Sequence, residues 1–192
     1  MKKLTAKELR TLPIDRKTAK SIKKQQIMII CDNVLDTYNV GAIFRLADAV
    51  AAEKVYLCGA TETPPNSKIK KASINTWQWV NWQYAATAQE VIKQLRGQKT
   101  EGTRLPDGQG GQKIQIIAVE QDQRSVPFYK VAYRFPLAIV VGNETYGVSK
   151  DVLDIADEIV ELPMWGINKS LNVMVSCGIV LYEAMKQIDT IK

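Results

Sequence analysis

The chain has 192 residues, of which 46% are hydrophobic and 24% charged, a length and composition that predict a single domain with a sizeable apolar core. No uncharged run reaches the ~18 residues that a membrane-spanning helix needs, and the charged N-terminus does not fit a secretory signal. The sequence contains no histidine and three cysteines without a CxxC spacing, which excludes His-dependent hydrolases, argues against disulfides and a zinc site, and suits a reducing cytoplasm.

The positive charge is concentrated at the N-terminus. The net charge is +6, and residues 1–24 hold nine Lys or Arg residues against Glu8 and Asp15, so the rest of the chain is close to neutral. A neutral body with a cationic arm is typical of a protein that binds a polyanion, and a solubilising tail explains the same charge equally well. We expect residues 1–24 to form a basic, helical N-terminal extension.

Apolar runs and helical patterns alternate along the remaining chain. We expect a polar, flexible insertion at 97–113, where glycines and a proline are frequent. The alternation predicts an α/β fold with a parallel sheet. Strands are predicted at 27–31, 54–58, 114–119, 137–141 and 158–162, and helices at 40–52, 88–96, 150–156 and 170–186, with a Lys-rich helix or turn at 68–73.

Four aromatic residues, Trp77, Trp79, Trp82 and Tyr84, cluster before the predicted helix at 88–96. Such rings can stack on RNA bases. Aromatic side chains more often fill a core or a subunit contact, and we expect most of these rings to do so.

Ligands of open parallel sheets bind beyond the carboxyl ends of the strands, and three loops in that position carry unusual polar residues. The first loop includes Asn39, Gly41 and Arg45. Asn39 is predicted to cap a helix, Gly41 permits close approach of another segment, and Arg45 follows less than two turns later. An ordinary capped helix with one exposed arginine is the alternative.

The second loop, residues 141–148, brackets Glu144 with Gly142 and Gly147. This pattern suits a loop whose backbone amides meet a ligand, although it lacks the Lys-Ser/Thr pair of a phosphate loop. A tight turn between a strand and a helix would explain it as well.

The third loop, residues 162–173, leaves a strand at Pro163 and places Ser170 and Asn172 in the first turn of a helix. The free N–H groups of a helix N-terminus can hold a carboxylate or another polar ligand. An N-capped core helix is the alternative.

Taken in order, the three loops resemble the signature motifs of the SpoU/TrmH-type RNA ribose methyltransferases, a branch of the SPOUT superfamily. The matching segments are 39–49 (NVGAIFRLADA), 138–149 (AIVVGNETYGVS) and 162–183 (LPMWGINKSLNVMVSCGIVLYE). The resemblance implies a three-layer α/β domain over residues 25–192 with a C-terminal trefoil knot. It also implies a homodimer, S-adenosyl-L-methionine as cofactor, and methyl transfer to a ribose 2′-hydroxyl of RNA.

The resemblance also implies roles for individual residues. Catalysis would fall to Arg45, oriented by Asn39, with Glu144, Ser170 and Asn172 shaping the pocket. Arg45 would either lose a proton when desolvated or stay cationic and stabilise the developing alkoxide; we favour the second, because a guanidinium is protonated at ordinary pH. The cofactor would be held by Gly142, Leu162, Met164 and Leu171, with Glu120 near its ribose.

The substrate is expected to be tRNA, because no separate RNA-binding domain of ~80–100 residues precedes the catalytic part. Ribosomal RNA is the nearest alternative, and a catalytically inactive RNA-binding knot protein is another. A dinucleotide-binding oxidoreductase is excluded, because no GxGxxG follows the first strand. Phosphate contacts are expected from five lysines, which a solvated surface explains almost as well: Lys17, Lys20, Lys68, Lys70 and Lys71.

Overall fold

A parallel sheet runs through the middle of the molecule. The computed structural model describes residues 21–97 and 113–190, and its strands are β1 (Gln25–Asp32), β2 (Ala52–Cys58), β3 (Trp82–Ala85), β4 (Gln115–Val119), β5 (Val126–Pro127), β6 (Leu137–Val141) and β7 (Glu158–Glu161). They are hydrogen-bonded in the order β3-β2-β1-β6-β4-β7-β5, and every neighbouring pair is parallel. The predicted parallel α/β sheet is confirmed.

Helices cover both faces of this sheet. They are α1 (Thr37–Ala49), α2 (Ser67–Ser73), α3 (Ala88–Gly97), α4 (Lys150–Leu153) and α5 (Val173–Thr190), with short 3-10 segments at Thr76–Gln78 and Phe128–Lys130. Helices α1, α2 and α5 pack against one apolar core, while α3 and α4 pack against a second core on the opposite face. The structure therefore has the three layers that the sequence predicts, whereas the trefoil knot stays a prediction.

Strand β1 shows why the central strands are continuously apolar. Ile27, Ile29 and Cys31 enter the first core, whereas Met28 and Ile30 enter the second. Because a parallel sheet with helices on both faces is buried on both sides, polar residues are confined to the ends of its central strands. The adjacent strand β6 is fully buried for the same reason.

The tryptophans of the aromatic cluster pack against the first core, which confirms their structural interpretation. Trp77, Trp79 and Trp82 are partly buried against it, and Trp79 Nε1 donates a 2.6 Å hydrogen bond to Asp48 Oδ1. Tyr84 is 51% exposed on the edge strand β3. The cluster therefore anchors α1 to the segment that follows α2.

Several predicted helix boundaries are wrong, at both ends of α1 and α5 and at the end of α4. Helix α1 begins earlier than predicted because Asp36, rather than Asn39, caps it; Asp36 Oδ1 accepts from Tyr38 N at 2.8 Å. Helix α5 begins at Val173, so Ser170 and Asn172 precede it, and Asn172 Oδ1 accepts from Met174 N at 2.9 Å.

Helix α4 is shorter than predicted, ending at Leu153, and the Ser149 side chain makes no capping hydrogen bond. Two edge strands, β3 and β5, escaped prediction because they are short and only partly buried. The predicted extension and insertion lie mostly outside the described residues, as do Lys17 and Lys20. No described helix is long and apolar enough to cross a membrane.

Gly41 sets the distance between α1 and α2. A Cβ atom added at Gly41 would lie 2.6 Å from Ala72 Cβ and 2.9 Å from the carbonyl oxygen of Ile69. Backbone atoms of α2 cannot yield to such a contact without moving the helix. By contrast, a Cβ atom at Gly178 in α5 would meet only the flexible end of Leu46, at 3.3 Å.

We predict that Gly41→Ala lowers the free energy of unfolding by about 1–3 kcal/mol, because the added methyl overpacks the contact between α1 and α2. Gly178→Ala is the matched control, and its helical propensity should stabilise the protein by up to about 1 kcal/mol. Urea unfolding of both variants measures the difference. A Gly41→Ala protein as stable as the parent would contradict this account of the packing.

Candidate active site

A cavity of about 460 Å³ opens beyond the carboxyl ends of β4, β6 and β7. It is lined by Val119, Glu120, Gln121, Val141, Gly142, Asn143, Glu144, Thr145, Gly147, Val160, Glu161, Leu162, Met164, Asn168, Lys169, Ser170, Leu171, Asn172, Val173 and Ser176. All five residues expected to hold the cofactor are among them, together with three of the five expected catalytic residues. Asn39 and Arg45 do not line this cavity.

The loop after β6 is a tight hairpin that forms one wall of the cavity. Asn143 and Gly147 exchange two backbone hydrogen bonds of 2.9 Å. A Cβ atom at Gly142 would collide with the backbone of Gly147 and Val148. Gly147 adopts a φ of +71°, which L-residues with side chains rarely adopt. Both glycines are therefore required by the hairpin, which packs closely on itself at Gly142 and on the Glu120 carboxylate at Gly147.

Glu120 joins the end of β4 to this hairpin. Its carboxylate accepts from Val148 N at 2.7 Å and from Gln121 N at 2.8 Å. The neighbouring Gln121 side chain donates to the carbonyl oxygen of Lys169 at 2.6 Å. The segment after β4 thus holds both the hairpin and the loop before α5 in place around the cavity.

A chain of side-chain hydrogen bonds connects all three sequence motifs. Asn39 Nδ2 donates to Glu144 Oε1 at 2.9 Å, and Asn39 Oδ1 accepts from Asn172 Nδ2 at 3.0 Å. Asn39 is only 6% exposed, so its amide depends on these partners. Three of the five expected catalytic residues are therefore joined directly, with Asn39 between Glu144 and Asn172.

Glu144 is held by donors from the loop before α1 and from Asn39. Leu35 N and Asp36 N donate to its two oxygens at 3.0 and 3.1 Å, in addition to the bond from Asn39. Partial burial acts to raise the pKa of Glu144, but the bonds from Asn39 and the backbone amides outweigh it, so the pKa is lowered below its ordinary value of 4.5. The carboxylate is therefore ionised at neutral pH.

Two further polar residues at the end of β1, Asp32 and Asn33, hold the hairpin after β6 in place. Neither was predicted from the sequence as part of the site. Asp32, 2% exposed, accepts from Ser149 N at 2.8 Å and from Asn33 Nδ2 at 2.9 Å. The carbonyl oxygen of Asn33 accepts from Asn143 Nδ2 at 2.9 Å. The end of β1 therefore holds both ends of the hairpin. The signal of Asp32 and Asn33 in the sequence is a pair of polar residues at the end of a buried apolar run.

Arg45 stands apart from this network. It is exposed on α1, and no hydrogen bond joins it to Asn39, because positions six residues apart lie on different faces of a helix. Arg45 instead shares a face with Gly41, one turn earlier, which contacts α2. The expected orientation of Arg45 by Asn39 is thus not seen within one chain.

Ser170 lies in the exposed loop before α5. Its hydroxyl and backbone N–H both donate to Asn168 Oδ1 at 3.3 Å.

Among the described residues, no group of three His, Cys, Asp or Glu side chains could hold a metal ion. The cavity therefore offers backbone groups, carboxylates and apolar side chains to a ligand.

Comparisons with known proteins agree with the motif pattern. A family model described as the SpoU rRNA Methylase family matches residues 26–182. The tRNA (guanosine(18)-2′-O)-methyltransferase of Aquifex aeolicus is 34% identical over 168 residues, which cover 86% of this chain and 71% of the relative.

Solved structures give the same result for the fold. The A. aeolicus TrmH/SpoU tRNA modifying enzyme matches with a TM-score of 0.73 at 30% identity, over 96% of this chain and 83% of that chain. The SpoU methyltransferase AviRb from Streptomyces viridochromogenes, in complex with AdoMet, matches with a TM-score of 0.75 at 22% identity, over 93% of this chain and 64% of that chain. At that identity the second match concerns the fold alone.

The lowered pKa of Glu144 predicts how the protein responds to acid. Because the folded state favours the ionised carboxylate, its contribution to stability is present above the ordinary pKa of 4.5 and is lost as the pH falls through the lower folded value. Glu144→Gln should therefore be less stable than the parent at neutral pH, and its stability should fall less steeply in acid.

Thermal unfolding midpoints of both proteins, measured down to about pH 3, test this. Glu62→Gln, at an exposed position, is the matched control and should follow the parent curve. Parallel acid curves for the parent and Glu144→Gln would show that the carboxylate is not coupled to folding.

Proposed function

The chain belongs to the SpoU rRNA methylase family, and we propose that it transfers the methyl group of S-adenosylmethionine to a ribose 2′-hydroxyl of tRNA. The observation that carries this proposal is the contact of Asn39 with Glu144 and Asn172 beside the cavity. A protein that only bound RNA would have no need for a polar network at the edge of a cofactor-sized cavity.

The cavity suits S-adenosylmethionine in size and in chemistry. Its volume of about 460 Å³ falls within the ~300–1,000 Å³ of small-molecule sites. Leu162, Met164 and Leu171 offer apolar contacts for an adenine ring, and Gly142 brings the backbone of the hairpin to the cavity wall. Glu120 is the candidate contact for the ribose. When bound, this cofactor supplies a methyl group activated by its sulfonium.

Glu144 acts in this proposal as a positioning residue rather than as a base. Its oxygens already accept three hydrogen bonds from Leu35, Asp36 and Asn39, and its lowered pKa makes it a weak proton acceptor. Together with Asn39 it fixes the Asn172 amide, while the Ser170 hydroxyl lines the same cavity. These residues would hold the target ribose in one orientation.

Arg45 and the lysines of α2 would meet the RNA backbone. Lys68, Lys70 and Lys71 are exposed, and none of them forms an ion pair with a described residue. Because α2 packs against α1 at Gly41, these lysines and Arg45 belong to one two-helix unit. Cationic and exposed, Arg45 is available to bind a phosphate and to stabilise the alkoxide that forms on the ribose.

A second copy of the chain would cover an apolar stripe on α5. Val175, Ile179 and Tyr182 are 37%, 37% and 55% exposed, and their spacing places them on one side of the helix. Leu171, just before α5, is 42% exposed and extends the stripe to the cavity. A homodimer formed through this stripe would bring the partner close to the site.

The dimer proposal predicts that Ile179→Asp yields a monomer, because it places a carboxylate in the centre of the contact. Light scattering measures the mass of the variant, and circular dichroism shows whether it folds. Tyr84→Asp, at an exposed position on edge strand β3, should keep the parent mass. A folded Ile179→Asp protein with that mass would exclude the stripe as the interface.

The enzymatic proposal is tested with purified protein, S-adenosylmethionine and separate pools of unmodified tRNA and rRNA, followed by mass spectrometry of 2′-O-methylated nucleosides. We expect methylation of tRNA, reduced on the order of 100-fold by Arg45→Ala. Arg45→Lys should recover only part of the activity, because the planar guanidinium is lost. Cofactor affinity should not change, because Arg45 does not line the cavity.

Arg134→Ala, at another exposed position, is the matched control and should retain full activity. Methylation of rRNA alone would show that the substrate is rRNA rather than tRNA. A parent protein that binds no S-adenosylmethionine would refute the enzymatic proposal and leave an RNA-binding protein.

A further inference from the structure

Three large apolar side chains at the cavity mouth are almost fully exposed. Tyr146 is 87%, Trp165 89% and Ile167 101% exposed, whereas every other exposed large hydrophobic residue in the described part is at or below 55%. Tyr146 lies between Thr145 and Gly147, and Trp165 directly follows Met164; these three neighbours all line the cavity. The most exposed rings of the molecule thus stand on two loops at one opening.

Each ring stands on a loop whose backbone takes part in hydrogen bonds. Asn143 Oδ1 accepts from Thr145 N at 2.8 Å and from Tyr146 N at 3.0 Å, which fixes the hairpin tip. In the other loop, Lys169 Nζ donates to the carbonyl oxygen of Gly166 at 3.2 Å. The hairpin tip is therefore held by Asn143, and both loops present their rings to solvent.

We propose that Tyr146 and Trp165 stack on a nucleobase of the RNA at, or next to, the nucleotide whose ribose enters the cavity. This inference rests on the proposed function. A ribose can reach a concave site only if its nucleotide leaves the base stack, which costs stacking energy. Aromatic side chains at the rim replace that stacking, and they do so for any base, since every base has a π-face.

One cation at the cavity rim favours RNA as the occupant of the rings. Lys169 lies in the loop of Trp165 and lines the cavity, so a cation stands beside the ring, as suits a nucleotide with its phosphate. Tyr146 lies on the hairpin after β6, separate from the α5 stripe assigned above to a second copy, whereas Trp165 lies in the loop that leads to Leu171 at the end of that stripe. A subunit contact at the rings is the other outcome that the experiment must distinguish.

The test compares Tyr146→Ala and Trp165→Ala with their ring-retaining counterparts, Tyr146→Phe and Trp165→Phe. Each alanine variant should raise the KM for tRNA about ten-fold, while each phenylalanine variant stays near the parent. The dissociation constant for S-adenosylmethionine and the mass in solution should not change. Tyr129→Ala, which removes a half-exposed ring elsewhere, should have no effect on KM.

An unchanged KM in an active alanine variant would overturn the stacking proposal, and a change in mass would assign the rings to a subunit contact. Filter binding of labelled tRNA gives a readout without methyl transfer. If the parent binds tRNA but methylates none, the proposed function fails, while a weaker affinity of the alanine variants still supports stacking. Equal affinities of the parent and the alanine variants would overturn it.

Discussion

The site depends on one buried amide, that of Asn39. Its donor side is bound by Glu144 and its acceptor side by Asn172, residues that are 105 and 133 positions away in sequence. A buried amide without partners is costly, so this arrangement favours the single placement of the three loops in which both bonds form. The first motif is therefore central to the site without lining the cavity: it aligns the two loops that do.

A second tie from the end of β1 makes the hairpin after β6 unusually constrained. Asp32 holds Ser149 and Asn33 holds Asn143, while Glu120 binds Val148 from the side of β4. Carboxyl ends of neighbouring parallel strands meet at one edge of a sheet, so short polar side chains suffice to join them. The preorganised backbone that results is what a cofactor site without a glycine-rich phosphate loop requires.

The sequence predicts the central sheet well because the buried strands β1, β6 and β4 are continuous apolar runs. It fails at β3 and β5, which are short, half-buried and recognisable only by their neighbours in the sheet. Asp36 and Asn39 are both suitable cap residues, and the choice of Asp36 depends on a tertiary contact that takes Asn39 into the network. Similarly, Asp32 and Asn33 resemble an ordinary turn until β6 is placed beside β1. Local sequence patterns predict the strands and helices, whereas the roles of these polar residues depend on contacts between segments that are far apart in the sequence.

The distribution of charge separates the two proposed ligands. Three glutamates, Glu120, Glu144 and Glu161, line the cavity against a single lysine, Lys169. A cavity with this excess of carboxylates attracts a sulfonium cation and repels a phosphate backbone. The exposed cations on α1 and α2 have the opposite preference and lie outside the cavity. RNA is thereby kept at the surface, where only a nucleotide that leaves its stack brings a ribose hydroxyl to the methyl donor. The acidic cavity would thus contribute to selectivity for a flexible or splayed nucleotide before any base is recognised.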